Sequence, residues 1–98
     1  MPLTLNDIRD RLAEHPEALR NFKVRSLFVF GSVARGEAKQ GSDVDLLVDF
    51  SEPVGLFEFA RLQRFLEDSL RARVDLVTRA ALRESMREEV LREAVRAA

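Results

Sequence analysis

Residues 27–50 read LFVFGSVARGEAKQGSDVDLLVDF, and they predict a strand, a tight turn, a short helix, a loop and a second strand. The first run, Ser26 to Phe30, is aromatic and β-branched and stops at Gly31, which is typical of a buried strand ended by a glycine turn. Ser32 is a good helix N-cap, and the helix after it would point its free N–H groups back toward the turn. Because glycine allows close backbone approach and the helix dipole favours phosphate, this stretch predicts an anion site.

Two aspartates open the second apolar run, and a third lies in a later one. Asp43 and Asp45 would share one face of a strand, about 6 to 7 Å apart along the chain. Two bare carboxylates repel each other unless a cation lies between them, and Mg²⁺ prefers a few carboxylates completed by water and substrate phosphate. Asp75, in the short apolar run 73–77, is a candidate third ligand, because an acid inside such a strand is costly to bury unless it is paired or metal-bound.

Each of these features also has an ordinary structural explanation. Gly31 and Ser32 alone would be a strand-to-helix turn, and an Asp-x-Asp pair at a strand end commonly faces water. Asp75 alone would be an edge-strand acid, solvated or paired with a neighbouring arginine. Arg35 and Lys39 are either surface cations or residues that help to hold phosphates. Aspartate is disfavoured inside strands, so three strand acids after an anion turn favour a functional site.

Together these residues resemble the nucleotidyltransferase superfamily of DNA polymerase beta, whose motif is Gly-Ser, a spacer, Asp-x-Asp and an acid on a later strand. With Gly31-Ser32, ten intervening residues and Asp43-Val44-Asp45, the chain is similar to the minimal nucleotidyltransferase (MNT) group of that superfamily. The flanking pairs Arg35-Gly36 and Gly41-Ser42 also look like the family, and the resemblance runs from about Leu5 to Val95.

The resemblance implies a fold and a division of labour among the site residues. The fold would be α/β (α+β), a nucleotidyltransferase domain over residues 1–98 with a small mixed sheet of about three to four strands flanked by helices. The nucleotide-binding residues would be Gly31, Ser32, Arg35 and Ser42. The catalytic residues, which are also the metal ligands, would be Asp43, Asp45 and Asp75. ATP would be the substrate and two Mg²⁺ ions the cofactors of an in-line displacement at the α-phosphate, with Asp75 as the base.

Members of the MNT group act as antitoxins to HEPN-domain ribonuclease toxins. The resemblance therefore implies an antitoxin that moves AMP from ATP to a hydroxyl of its partner toxin, with tyrosine as the expected acceptor, and a homodimer as the assembly of the chain alone. Two alternatives stay open: an antibiotic-type nucleotidyltransferase acting on a small molecule, and an antitoxin that works by binding without catalysis. The intact set of three acids favours the catalytic versions.

The amino-acid composition limits the classes of function that are open to the chain. Lys+Arg 16 against Asp+Glu 17 gives a formal net charge of −1 over 98 residues, which argues against strong charge-driven nucleic-acid binding. The chain has no cysteine, which excludes a disulfide framework and a thiolate zinc site. Neither a signal peptide nor a run long enough to span a bilayer is evident, so no membrane association and a cytoplasmic location are expected.

Periodicity predicts the remaining elements. Amphipathic spacing predicts helices over 4–14, 17–22, 56–70 and 80–95, the first capped by Thr4 and Asp7 in a capping-box arrangement. Apolar runs predict strands over 24–30, 43–48 and 72–77, the last two parallel and joined by the helix 56–70. Leu56 is placed on the buried face of that helix. Phe57, Phe59 and Phe65 are assigned to the core, with a partner face as the alternative for some of them. His15, beside a proline, is expected in a surface loop.

Overall fold

A four-stranded mixed sheet in the order β3-β2-β1-β4 forms the centre of the molecule. The computed structural model describes residues 2–82 and 84–98. The strands are β1 Val24–Phe30, β2 Val44–Phe50, β3 Val74–Thr78 and β4 Val95–Arg96. The helices are α1 Leu5–Ala13, α2 Pro16–Asn21, α3 Gly31–Ala34, α4 Leu56–Leu70 and α5 Glu84–Glu93, with a 3₁₀ turn at Arg79–Ala81. The predicted small mixed sheet flanked by helices is confirmed. Within the described ranges, no helix is long and apolar enough to cross a membrane.

The direction of each strand follows from its connection. β1 pairs antiparallel with β2, so that Val29 lies opposite Leu46. β2 and β3 pair in parallel, with Leu46 opposite Leu76. Parallel strands cannot be joined by a tight turn, and they need a crossover of about a dozen residues or more. The 15-residue α4 supplies that crossover, which confirms the predicted parallel pairing.

One face of the sheet carries the hydrophobic core. Side chains alternate along a strand, so Leu27 and Val29 of β1 enter the same layer as Leu46 and Val48 of β2, and each of the four is at most 1% exposed. Helical side chains at spacings of three and four complete this layer. They are Ile8, Leu12, Leu19, Leu62, Leu66 and Leu70. α1 and α4 therefore cover one side of the sheet.

The first helices begin close to where the sequence predicts. The backbone N–H of Asp7 donates to Thr4 Oγ1 at 3.1 Å, and the N–H of Thr4 donates to Asp7 Oδ2 at 3.0 Å, so the predicted capping box is present. These bonds with Thr4 lower the pKa of the Asp7 carboxyl. Pro16 starts α2 one residue earlier than predicted, at the first helical position, where proline fits well. His15 lies in the connection between α1 and α2, as predicted, but it is half-buried, and its ring packs edge-on to Phe65 at 5.4 Å.

The prediction of one long last helix over 80–95 is wrong. Thr78 Oγ1 accepts a hydrogen bond from the N–H of Ala81 and caps a 3₁₀ turn, and α5 begins only at Glu84. At the other end Val95 lies in β4, opposite Val29. Pairing with the free edge of β1 satisfies backbone groups that a longer helix would leave exposed, and amphipathic spacing does not encode that pairing.

The first turn of α4 is also misassigned. Leu56 and Phe57 are 82% and 83% exposed, whereas both were expected on the buried side. The other two phenylalanines of α4 are partly buried against the core, as predicted. The Phe59 ring lies 6.4 Å from that of Phe50, and the Phe65 ring lies 5.4 Å from that of Phe22. α4 therefore packs along most of its length and leaves its first turn in solvent.

Candidate active site

The candidate site residues meet at one end of the sheet. Because β1 runs antiparallel to β2, the end of β1 lies beside the beginnings of β2 and β3. Phe30 is opposite Asp45, and Asp45 is in turn opposite Asp75. The glycine turn after Phe30 and two of the predicted acids therefore lie in one row across three strands.

Gly31 begins α3 and approaches Asp45 closely. Its φ is +72°, a conformation that costs a residue with a Cβ about 1–2 kcal/mol. A Cβ at this position would collide with Asp45 Oδ2 and would lie 3.0 Å from Asp45 Cγ. Backbone strain and the missing space both require glycine here.

Ser32 does not cap α3 as predicted. The helix begins two residues earlier, the extended Phe30 takes the N-cap position, and the side chain of Phe30 makes no capping hydrogen bond. The N–H of Gly31 instead donates to Glu93 Oε1 at 3.0 Å. Ser32 lies inside the first turn of α3 and so remains next to the turn where phosphates are expected.

The three aspartates differ in exposure. Asp45 is half-buried, whereas Asp43, one residue before β2, and Asp75 on β3 are exposed. Burial, followed by the negative charges of Asp75 and Asp43, raises the pKa of the Asp45 carboxyl, and only the nearby Arg35 opposes them. The charges of the three acids therefore act on each other. The burial argument used for Asp75 is wrong, since this side chain faces solvent at the edge of the sheet.

The donor set has the character of a hard-cation site. It offers carboxylate oxygens and neither sulfur nor imidazole, which suits Mg²⁺. Between residues 2–82 and 84–98, no group of three or more acidic, histidine or cysteine side chains is gathered closely enough to hold a metal by itself. Mg²⁺ commonly completes its shell with water and substrate phosphates. The residues thus fit this ion, and the assignment of Asp43, Asp45 and Asp75 as its ligands stays a prediction.

Arg35 ends α3 and faces two carboxylates. Its Nε lies 3.2 Å from Glu37 Oε2, and its Nη1 lies 3.1 Å from Glu93 Oε1. Hydrogen bonds to Glu37 and then to Glu93 raise the pKa of the Arg35 guanidinium. Ser42 has a different role in this structure, because its Oγ accepts the N–H of Lys39 at 2.9 Å and closes the loop before β2. Nucleotide contacts of Arg35 and Ser42 remain predictions.

Glu93 is the site residue that sequence reasoning missed. It is the last residue of α5 and lies 62 positions from Gly31 in sequence, so no local motif connects them. A weak signal existed, because a carboxylate at a helix C-terminus meets the negative end of the helix dipole and is unfavourable there. Such a placement suggests that the side chain has partners elsewhere.

A second charged cluster lies further along β2. Arg79 Nε and Nη2 donate to Asp49 Oδ1 and Oδ2 at 2.9 and 3.1 Å, and Ser26 Oγ donates to Asp49 Oδ2 at 3.3 Å. The Arg79 bonds, with a smaller contribution from Ser26, lower the pKa of the Asp49 carboxyl. The Arg79 guanidinium also lies 5.8 Å from the centre of the Phe28 ring. Arg79 therefore pairs with Asp49 rather than with Asp75.

Comparisons with known proteins give one consistent family and fold. A family model described as a nucleotidyltransferase domain matches residues 10–97. The protein adenylyltransferase MntA of Thermococcus cleftensis is 49% identical over 94 residues, which cover 95% of each chain. A solved structure provisionally described as a minimal nucleotidyltransferase superposes with a TM-score of 0.80 at 43% identity and covers 95% of both chains. The fold also matches a complex of a tri-AMPylated Shewanella oneidensis HEPN toxin with an MNT antitoxin, with a TM-score of 0.67, 18% identity and coverage of 97% of this chain and 72% of the other.

Proposed function

The chain belongs to the nucleotidyltransferase domain family, as a minimal nucleotidyltransferase, and we propose that it transfers AMP from ATP to a hydroxyl group of a partner protein. The observation that carries this proposal is the row formed by the Gly31 turn, Asp45 and Asp75 across three strands. The row sets a phosphate-binding turn beside acids that can hold a divalent cation. A relative 49% identical over 95% of its length is named a protein adenylyltransferase, which supports protein as the acceptor class.

The residues of the row and the adjacent Ser32 and Asp43 each have a distinct role in this reaction. The backbone N–H groups of Gly31 and Ser32, with the Ser32 hydroxyl, bind the β- and γ-phosphates. Asp43, Asp45 and Asp75 would hold Mg²⁺, which would supply positive charge close to the phosphates and the attacking hydroxyl. Asp75 takes the proton of the acceptor hydroxyl, and its exposure on the edge strand leaves room for a bulky acceptor.

The transfer forms a bond between the acceptor oxygen and the α-phosphorus and breaks the bond from that phosphorus to the β-phosphate oxygen. Pyrophosphate leaves with the electron pair of the broken bond, and the acceptor proton passes to Asp75. The chain has no cysteine and a single histidine. His15 packs against Phe65 on α4, so the row offers neither a histidine nor a cysteine nucleophile.

The partner in this proposal is a HEPN-domain ribonuclease toxin, and the acceptor is a tyrosine hydroxyl. The fold shared with an MNT antitoxin in complex with a tri-AMPylated HEPN toxin supports this choice. The net charge of −1 also supports a protein partner over a nucleic acid, because nucleic-acid binding usually uses a basic surface. The chain would then act as an antitoxin that silences its partner by AMP transfer.

Label transfer tests this proposal directly. The protein is incubated with Mg²⁺ and ATP labelled at the α-phosphate, with γ-labelled ATP in parallel. The protein encoded by the neighbouring gene is added as the candidate acceptor. We expect label on the acceptor from the α position only, and its loss with Asp43→Asn. Asp68→Asn, which changes an exposed aspartate of α4, is the matched control and should transfer normally.

Three results would contradict the proposal. Label arriving from the γ position would indicate a kinase, and full transfer by Asp43→Asn would remove that residue from the metal site. A stable complex without any label would show an antitoxin that acts by binding alone. Label that appears only when the partner is present identifies the acceptor protein. Peptide mass analysis then tests whether the AMP lies on a tyrosine.

A further inference from the structure

An internal carboxylate already occupies the donors of the proposed phosphate site. Glu93 Oε1 accepts the Gly31 N–H at 3.0 Å, and Arg35 Nη1 donates to Glu93 Oε1 at 3.1 Å and to Oε2 at 3.2 Å. A turn N–H and a guanidinium are the donors that a phosphate oxygen uses. Glu93 thus makes the contacts that the triphosphate of the proposed function would make.

The placement of Glu93 is unfavourable on other grounds. Its carboxylate lies at the C-terminal end of α5, where the helix dipole is negative. It also brings a further negative charge toward the acids, since it contributes to the raised pKa of Asp45. The side chain is nevertheless only 23% exposed. The contacts with Gly31 and Arg35 therefore hold it inside the site.

The attachment of α5 allows this carboxylate to leave. Among the α5 side chains that the structure describes, Val90 alone is buried, so little apolar area resists movement of the helix. The backbone beyond α5 is held separately. Arg96 pairs with Phe28 through β4, and its carbonyl accepts two hydrogen bonds from Arg9 at 2.9 and 3.1 Å. Neither this pairing nor the bonds from Arg9 involve the Glu93 side chain, so a change of its rotamer can release the carboxylate while β4 remains on the sheet.

We propose that Glu93 is a built-in competitor for the nucleotide, an internal phosphate mimic that must release Gly31 and Arg35 before the triphosphate can bind. This inference rests on the proposed function, because it assigns the same donors to the phosphates of ATP. Release frees the Gly31 N–H for a phosphate oxygen and the Arg35 guanidinium for a second one. It also removes one negative charge from the neighbourhood of the incoming triphosphate. The apparent affinity for ATP is therefore reduced by the fraction of molecules in which Glu93 is bound.

Equilibrium binding tests the proposal. Calorimetric titration with ATP and Mg²⁺, and separately with inorganic tripolyphosphate and Mg²⁺, is carried out on the wild-type protein and on Glu93→Gln. The glutamine keeps an oxygen that can accept the Gly31 N–H but loses the charge. We expect Glu93→Gln to bind both ligands roughly tenfold more tightly. An equal gain for the two ligands places the competition at the phosphates rather than at the base or ribose.

Two further variants make the result specific. Glu89→Gln removes the same charge from an exposed position one turn earlier on α5, and its affinity should match that of the wild type. Glu93→Asp keeps the charge but shortens the side chain, and it should give an intermediate gain, so the proposal does not depend on the folding of one variant.

The outcomes separate this inference from the function on which it rests. Equal affinities in all four proteins, or weaker binding by Glu93→Gln, would overturn the competitor role and leave the nucleotide site standing. Weaker binding would instead show that Glu93 supports the site. No binding of either ligand by any of the proteins would overturn the nucleotide site itself, and the competitor role with it.

Discussion

The two faces of the sheet differ in the polarity of their side chains. On one face, Leu27 and Val29 of β1 meet Leu46 and Val48 of β2 under α1 and α4, and all four are essentially fully buried. On the other face, β2 alternates Asp45, Leu47 and Asp49, two of them charged. The same strands therefore supply an apolar layer on one side and the candidate site on the other, because successive side chains point in opposite directions.

This difference separates stability from chemistry within single strands. The core face gains free energy by removing apolar area from water. On the site face, burial and then the negative charges of Asp75 and Asp43 raise the pKa of Asp45. Keeping this carboxylate charged therefore costs stability in the absence of a cation. A substitution among the site acids should therefore lower activity without lowering stability. A substitution on the core face should lower stability without lowering the activity of the folded protein.

The largest effect is expected from Asp45→Asn on the site face. Removing this proposed ligand should lower AMP transfer by at least about a hundredfold, which is the scale of losing one transition-state contact. The thermal midpoint should stay the same or rise, because a half-buried charge that faces Asp43 and Asp75 is removed. Label transfer and thermal unfolding, measured on the same preparation, check both parts. If Asp45→Asn were both inactive and strongly destabilised, the assignment of activity to one face and stability to the other would be wrong.

The matched change on the core face is Leu66→Ala. Leu66 is fully buried in the core under the sheet, and truncating such a side chain costs about 2–5 kcal/mol of unfolding free energy. Urea denaturation measures the loss. Transfer per folded molecule, taken at a temperature where the variant remains folded, should be close to that of the wild type. A large drop in that specific activity would show that the core layer also positions the site.

The smallest effect is expected at Asp49, where a charge on the site face does have a partner. Because Arg79 and Ser26 lower the pKa of Asp49, this carboxylate stabilises the fold above the ordinary aspartate pKa of 3.8. The contribution disappears as the pH falls through the lowered value.

Asp49→Asn should therefore cost at most about 1 kcal/mol near pH 7, the usual range for an exposed ion pair. The difference from the wild type should shrink below about pH 4. Urea unfolding at several pH values, with Asp68→Asn as the control, measures it. A difference that grows toward acid would contradict the assigned sign.

Part of this architecture could be predicted from the sequence, because the signals for it lie within short segments of the chain. The helix 56–70 is predicted with its observed bounds, because its apolar spacing and the preceding Gly55 are local signals. The row from Gly31 to Asp45 follows from a motif within one stretch of chain. Asp75 could be added because a charge stands out in a short apolar strand.

Most of the failures are non-local. The last helix is predicted too long because the sequence pattern does not show that Val95 would pair with Val29 on β1. The misplaced cap has the same origin, since the Gly31 N–H is satisfied by Glu93 and not by the adjacent Ser32. Leu56 and Phe57 are apolar residues of an amphipathic helix, but they lie 82% and 83% exposed in its first turn.

Asp75 has a second consequence, which concerns aggregation. β3 is one of the two edge strands of the sheet, and an uncovered edge strand can template pairing with another chain. Its sequence, VDLVT, would be strongly apolar without the acid. Charged residues on such edges are a common protection against association. The proposed base therefore also protects the edge strand against aggregation. Replacing Asp75 with valine would remove the proton acceptor and would also leave an apolar edge strand that favours association with another chain.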